Sequence, residues 1–139
     1  MADGDHTLSV EVLTPEGEVY SGDVVQVSTR TATGEIGILA NHAPVLAYLN
    51  PTELRLHVSG SETKRYAQAH GMMQVFANHV QVLVEEAIPP EDLDASALKE
   101  QLDDAERRLK EADEDSAAAV RAEKDRDRAE KFLEIAQGN

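Results

Sequence analysis

The sequence predicts an α+β chain in which a β-sandwich is followed by an antiparallel two-helix hairpin. Three observations carry this prediction. All five histidines and all eight glycines but Gly138 lie before Pro89-Pro90. Apolar residues before that pair recur at every second position, the period of a half-buried strand. After it they recur at alternating steps of four and three, the period of a helix stripe.

The charge distribution makes the same division. Residues 1–90 carry 4 Lys/Arg and 11 Asp/Glu, whereas residues 91–139 carry 9 Lys/Arg and 16 Asp/Glu, or 25 charges in 49 positions. So charged a segment cannot bury a globular core of its own. The first part can, in a chain of 139 residues that suits one domain with an appendage.

Within residues 1–90, Leu8, Val10 and Val12 alternate with polar residues, and so do Val25, Val27 and Thr29. Leu54, Leu56 and Val58 form a further strand ahead of a Ser59-Gly60-Ser61 turn. Met73, Val75 and Ala77 lead into an expected hairpin tip at Asn78-His79, from which Val80, Val82 and Val84 return. Many short strands punctuated by Pro, Gly and Asn turns predict a sandwich or barrel.

Beyond Pro90, Leu98, Leu102, Ala105, Leu109 and Ala112 trace one narrow helical stripe. The stripe fails if it is extended, and a second phase takes over through Ala118, Ala122, Ala129, Phe132, Leu133 and Ala136. The break falls at Asp113-Glu114-Asp115-Ser116, whose last members are good N-caps. Two antiparallel helices are therefore expected rather than one rod, although no Gly or Pro enforces the turn. The second stripe is mostly alanine and Asp125 intrudes on it, so the hairpin is expected to be weakly held.

The totals exclude several function classes. The absence of cysteine removes disulfide frameworks, thiolate metal sites and cysteine nucleophiles, and fits a reducing intracellular setting. A net charge of −14 argues against nucleic acid, and it fits either solubility or life in high salt. No apolar run approaches the roughly 20 residues that span a bilayer. The acidic, polar Met1–Thr7 stretch does not read as a signal peptide. A soluble chain that meets membranes only through a partner is expected.

No catalytic constellation is apparent. His6, His42, His57, His70 and His79 lack metal-ligand spacing, and there is no P-loop, dinucleotide fingerprint or nucleophile elbow. Neither a cofactor nor a metal is expected.

Two patterns point instead to partners. Gly34 to Pro44 reads as one shaped loop displaying Glu35 and His42, with two readings open: a turn in which His42 caps local backbone, or a partner contact. On the second helix, Arg121, Lys124, Arg128 and Lys131 share one face, and Glu123, Asp127, Glu130 and Glu134 share another. This is either a solvated face laced with ion pairs or a basic strip offered to an acidic partner.

Four motifs carry a resemblance. Thr14-Pro15-Glu16, Val19-Tyr20-Ser21-Gly22, Gly34-Glu35-Ile36-Gly37-Ile38-Leu39 and Asn41-His42-Ala43-Pro44-Val45-Leu46, in this order, resemble the epsilon subunit of bacterial F-type ATP synthases. The match is collinear over residues 8–88, and the tail has the family's length and position. The resemblance implies a ten-stranded sandwich (residues 1–90) that binds the gamma subunit and the c-ring, and a mobile regulatory hairpin (residues 91–139).

It further implies a non-catalytic rotor subunit of a proton-translocating complex, peripheral to the cytoplasmic face of the bacterial cell membrane. It places Glu35, Asn41 and His42 toward the ring. It also implies a hairpin that extends toward the alpha and beta catalytic subunits and blocks ATP hydrolysis, with Arg121, Lys124, Arg128 and Lys131 meeting acidic loops there.

Some members bind ATP through Ile/Leu-Asp-x-x-Arg-Ala. Here Leu93 and Asp94 are present but Ala97-Leu98 replaces Arg-Ala, so a nucleotide-sensing role, the rival reading, lacks its arginine.

Overall fold

A computed structural model describes residues 6–138 and divides into two compact units, Met1–Pro89 and Pro90–Asn139. Residues 1–5, most of the stretch weighed above as a leader, lie outside the described residues.

The first unit has ten strands: β1 (Leu8–Thr14), β2 (Gly17–Val24), β3 (Gln26–Thr31), β4 (Gly34–Leu39), β5 (Val45–Leu49), β6 (Thr52–His57), β7 (Thr63–Gln68), β8 (Gly71–Phe76), β9 (His79–Val84) and β10 (Ala87–Ile88). They are hydrogen bonded in the order β10-β7-β6-β3-β5-β8-β9-β1-β2, with β4 on β3. The β1–β9 pair is parallel and every other pair is antiparallel. β3 and β5 share only the Thr31–Leu49 pairing, and at this seam the continuous sheet folds into the two layers of a sandwich.

The period-two residues fill the interior. Leu8, Val10, Val12, Val27, Leu54, Leu56, Met73, Val75, Val80, Val82 and Val84 are all buried in one cluster. The one buried polar pair is fully bonded among the described residues. Thr29 donates its hydroxyl to Gln68 Oε1, and Gln68 Nε2 donates to the carbonyls of Asn50 (3.0 Å) and Ala69 (3.1 Å). An unpaired amide here would cost about 1–3 kcal/mol, so the pairing is what allows Gln68 inside.

Several boundaries differ from the sequence reading. Val25 lies between strands and is half-buried, and Val24, ending β2, takes the core position instead. The β8–β9 tip is Ala77-Asn78, not Asn78-His79. Both tip residues have positive φ (50° and 61°), as a type I′ hairpin requires. The expected Gly34–Pro44 loop is in its first half the strand β4, antiparallel to β3. Gly37 provides no turn. Its missing side chain makes room for the Gln26 amide instead.

In the second unit a single 3₁₀ turn (Pro90–Asp92) precedes α1 (Ala95–Glu111) and α2 (Ala117–Ala136). Asp94 caps α1 by accepting from Ala97 N (3.1 Å), and Ser116 caps α2 by accepting from Ala119 N (3.1 Å). Contacts from Arg108 to Asp125 and from Arg128 to Gln101 set the helices antiparallel. The turn works without glycine because Asp115 takes φ 62°, a conformation that Asp tolerates. Leu98, Ala105, Ala122, Ala129, Phe132 and Ile135 are buried. Ala118 is exposed and Leu133 only half-buried, so Ile135 replaces them in the covered sector.

One backbone approach is tight enough to test the packing. A Cβ on Gly71 would run into the Leu83 carbonyl oxygen and Val84 Cα across the β8–β9 pair, whereas one on Gly60 would meet nothing within 4 Å. Gly71→Ala is expected to lower unfolding free energy by about 3 kcal/mol in urea titration, and Gly60→Ala by no more than about 0.5 kcal/mol.

Candidate interaction surface

The layer β5-β8-β9-β1 carries apolar side chains on its outer face as well as its inner one. Alternate residues on a strand share a face. Register therefore places Tyr48, Met72, Leu83 and Leu13 in one cross-strand row. Two residues along, the row is Leu46, Gln74, Gln81 and Glu11, and beyond it lie Phe76, His79 and Ser9. Tyr48 is 78% exposed, Leu46 65%, Phe76 50% and Leu83 38%. Large apolar groups grouped this way on a sheet are what a contact face offers.

A polar line crosses the same face. Ser9 Oγ is 2.7 Å from His79 Nδ1, His79 Nε2 is 3.4 Å from Glu11 Oε1, and Gln81 Nε2 donates to that oxygen at 2.9 Å. These bonds tie β1 to β9 and satisfy the polar groups among the apolar ones. The Phe76 and His79 rings meet edge-on with centroids 6.5 Å apart.

At the Phe76 end of this face lies the short loop that joins β4 to β5. Asn41, with φ 67°, donates its backbone N–H to Asn78 Oδ1, and Asn78 Nδ2 donates to Asn41 Oδ1 (3.3 Å). Asn78's carbonyl accepts from Ser9 N (2.9 Å). The loop is thus pinned to the β8–β9 tip. His42 donates Nδ1–H to the Ala43 carbonyl (2.6 Å) and its N–H to the Leu39 carbonyl (3.2 Å), so its ring caps local backbone.

Glu35 is not beside His42. It sits near the start of β4, opposite Arg30, about 13 Å along the strand from Leu39, where the loop begins. Asn41 and His42 adjoin the loop's clamp, whereas Glu35 marks the other end of the β3–β4 hairpin.

The basic strip of α2 divides in two. Arg121 and Lys124 are exposed and make no ion pair among the described residues. Arg128 turns to the hairpin seam, with its guanidinium 4.7 Å from the Phe132 ring centroid and Nη1 2.9 Å from Gln101 Oε1. Lys131 pairs with Glu134 (3.2 Å).

Asp125, the intruder in the apolar stripe, meets Arg108 of α1 at 2.9 Å. Arg108 also holds Asp104 (2.8 Å), and its hydrogen bond, followed by that of Arg107, keeps the Asp104 carboxyl below the usual carboxylate value.

Asn78→Gly keeps the left-handed backbone but removes both side-chain bonds to Asn41. It is expected to speed hydrogen exchange at the Asn41 amide by about tenfold while lowering global stability by less than about 1 kcal/mol. Unchanged exchange at that amide would show that the clamp does not hold the loop.

Comparison with known proteins gives these features a family. Residues 7–90 match the model of the ATP synthase delta/epsilon chain β-sandwich domain. A protein of Persephonella marina named ATP synthase epsilon chain is 41% identical over 128 residues, covering 91% of this chain and 94% of its own. One of the same name from Halalkalibacterium halodurans is 38% identical over 130 residues, covering 94% and 97%.

Among solved structures, a chain in the OSCP/F1/c-ring assembly of the Euglena gracilis mitochondrial ATP synthase superposes with TM-score 0.79 at 25% identity, covering 95% of this chain and 82% of that one. A chain of the Tetrahymena thermophila mitochondrial central stalk/c-ring shares the fold, with TM-score 0.67 at 18% identity over 92% and 95% of the two chains. With sandwich, hairpin and near full-length relatives in agreement, the chain belongs to the epsilon chain family of ATP synthase subunits.

Proposed function

We propose that the chain is a non-catalytic rotor subunit that couples the c-ring to the gamma subunit, with residues 1–90 as the coupling domain and residues 91–139 as a regulatory tail. The exposed apolar face of β5, β8, β9 and β1 carries this reading. Large apolar side chains grouped on the outer side of a sheet gain free energy when a partner covers them, and a rotor subunit has a permanent partner to do so. The gamma subunit is assigned to this face. The c-ring is assigned to Asn41 and His42 with Glu35, in keeping with the central stalk and c-ring assemblies in which structural neighbours occur.

Among the described residues no helix is long and apolar enough to cross a membrane, so association with the cytoplasmic face of the cell membrane would run through the ring. For the tail we assign inhibition of ATP hydrolysis by contact with the alpha and beta subunits. Arg121 and Lys124, exposed and unpaired among the described residues, are the first points of contact; Arg128 becomes available when Gln101 of α1 is released, whereas Lys131 stays paired within α2 to Glu134. A nucleotide-sensing tail is not favoured, because Ala97 stands where the motif needs arginine and Asp94 serves as the α1 cap.

Replacing Leu46 and Tyr48 together by glutamate should weaken co-purification with the gamma subunit by at least about tenfold while leaving the circular dichroism of the isolated chain unchanged. Full retention of gamma would remove this face from the interface. Deleting residues 91–139 should leave ATP synthesis coupled and raise ATP hydrolysis; unchanged hydrolysis would remove the inhibitory assignment. Reversing Arg121 and Lys124 to glutamate should relieve inhibition in the same direction, and inhibition that survives would mark them as ordinary solvated surface.

A further inference from the structure

We propose that the turn end of the hairpin is a docking groove for a basic, amphipathic helical segment of a partner protein, an assignment that does not depend on the rotor reading. Where α1 ends and α2 begins, Leu109, Ala112, Ala119 and Val120 form the apolar lining of a groove of about 380 Å³, and Glu114, Asp115 and Glu123 form its rim.

Val120 is 53% exposed and is the large apolar residue that α2 leaves in solvent. It belongs to neither phase of the stripe read from the sequence, so packing within the hairpin does not account for it. The volume exceeds that of a single aliphatic side chain, and the lining alternates between two helix ends. That shape suits one face of a third helix bearing an aliphatic residue or two.

The charge of the rim selects the partner. Among the described residues no basic side chain lines the groove; Arg121 and Lys124 follow Val120 and Glu123 in sequence but are not part of the lining. Glu114 and Asp115 make no ion pair among the described residues, and Glu123 has only a 3.6 Å pairing with Arg126. The turn that displays them is fixed by its own bonds: Ser116 Oγ donates to the Asp113 carbonyl (2.6 Å), and Asp115 holds φ 62°. A partner with Lys or Arg flanking its aliphatic residues would find three positioned carboxylates around an apolar floor. A nucleic acid is excluded by the sign of the charge, and among the described residues no group of acidic side chains converges to hold a metal ion.

The test uses the full chain, nitrogen-labelled, titrated with a synthetic amphipathic helix that carries leucines on one face and lysines on its flanks, and with the same peptide carrying glutamates for lysines. Saturable amide shifts centred on residues 109–123 with the lysine peptide, and none with the glutamate peptide, are expected. Val120→Ser should weaken binding by about fivefold or more, since it removes the exposed aliphatic lip without disturbing the hairpin. Glu114→Gln with Asp115→Asn, which keeps a residue tolerant of positive φ, should weaken it similarly, while Glu130→Gln, away from the groove, should not.

Shifts spread over the acidic face of α2 and the sandwich, or equal losses for Glu130→Gln and the rim variants, would overturn the proposal in favour of undirected attraction to an acidic protein. Insensitivity to Val120→Ser would overturn it as well. Concentration-dependent shifts at 109–123 without any peptide would show that a second copy, offering Arg121 and Lys124, is the occupant.

Discussion

The outer face of the β5-β8-β9-β1 layer sets large apolar side chains in water, and the gain from covering them is the interaction on which this layer's design depends. Val80, Val82 and Val84 of β9 and Met73 and Val75 of β8 point inward and build the core with β1, β3 and β6. Leu83, between Val82 and Val84, Met72 and Phe76, which flank Met73 and Val75, and Leu46 and Tyr48 of β5 point the other way. Each such side chain covered by a partner returns on the order of 1–2 kcal/mol of transfer free energy, far more than the exposed ion pairs elsewhere on the surface. The Asn41–Asn78 clamp and the Ser9–His79–Glu11 line then fix the polar border of that face, so that it is presented as a preformed shape.

Much of the fold was legible because two periods dominate the sequence. The inward half of β1, β3, β6, β8 and β9 followed from alternation alone, and the change of phase near Asp113 to Ser116 located the hairpin turn. Less legible was the contact face. Leu46, Tyr48 and Leu83 sit in uninterrupted runs such as Val45 to Leu49 and Val82 to Val84, which signal a strand apolar on both faces. Alternation by itself identifies only the inward members of such a run. β4 was hidden because Gly37 also reads as a turn former, whereas pairing with β3 makes it strand; Gly34, with φ 129°, does follow the turn that opens β4. A helical wheel put four cations on one face of α2, yet it could not reveal that Arg128 lies over Phe132, because side-chain direction depends on what the facing helix offers.

The hairpin rests on a different balance. Its seam is largely alanine, with Leu98 and Phe132 as the large members, so apolar burial per turn is small. Charge pairs supplement it: Arg108 bridges Asp104 on its own helix and Asp125 on the next. These groups are well exposed and therefore screened by salt, so the seam depends on ionic strength more than the sandwich core does. Such an element opens more readily than the β-layer beside it in sequence, which is the physical property a conditional regulatory tail requires.

The outer face of β5, β8, β9 and β1 is proposed to be covered in the working assembly. Hydroxyl-radical footprinting of the isolated chain and of the assembled complex measures this directly, residue by residue. Strong protection of Leu46, Tyr48, Phe76 and Leu83 is expected on assembly, with the exposed Arg55 and Arg65 of β6 and β7 little changed. Equal oxidation of Tyr48 and Leu46 in both states would contradict it.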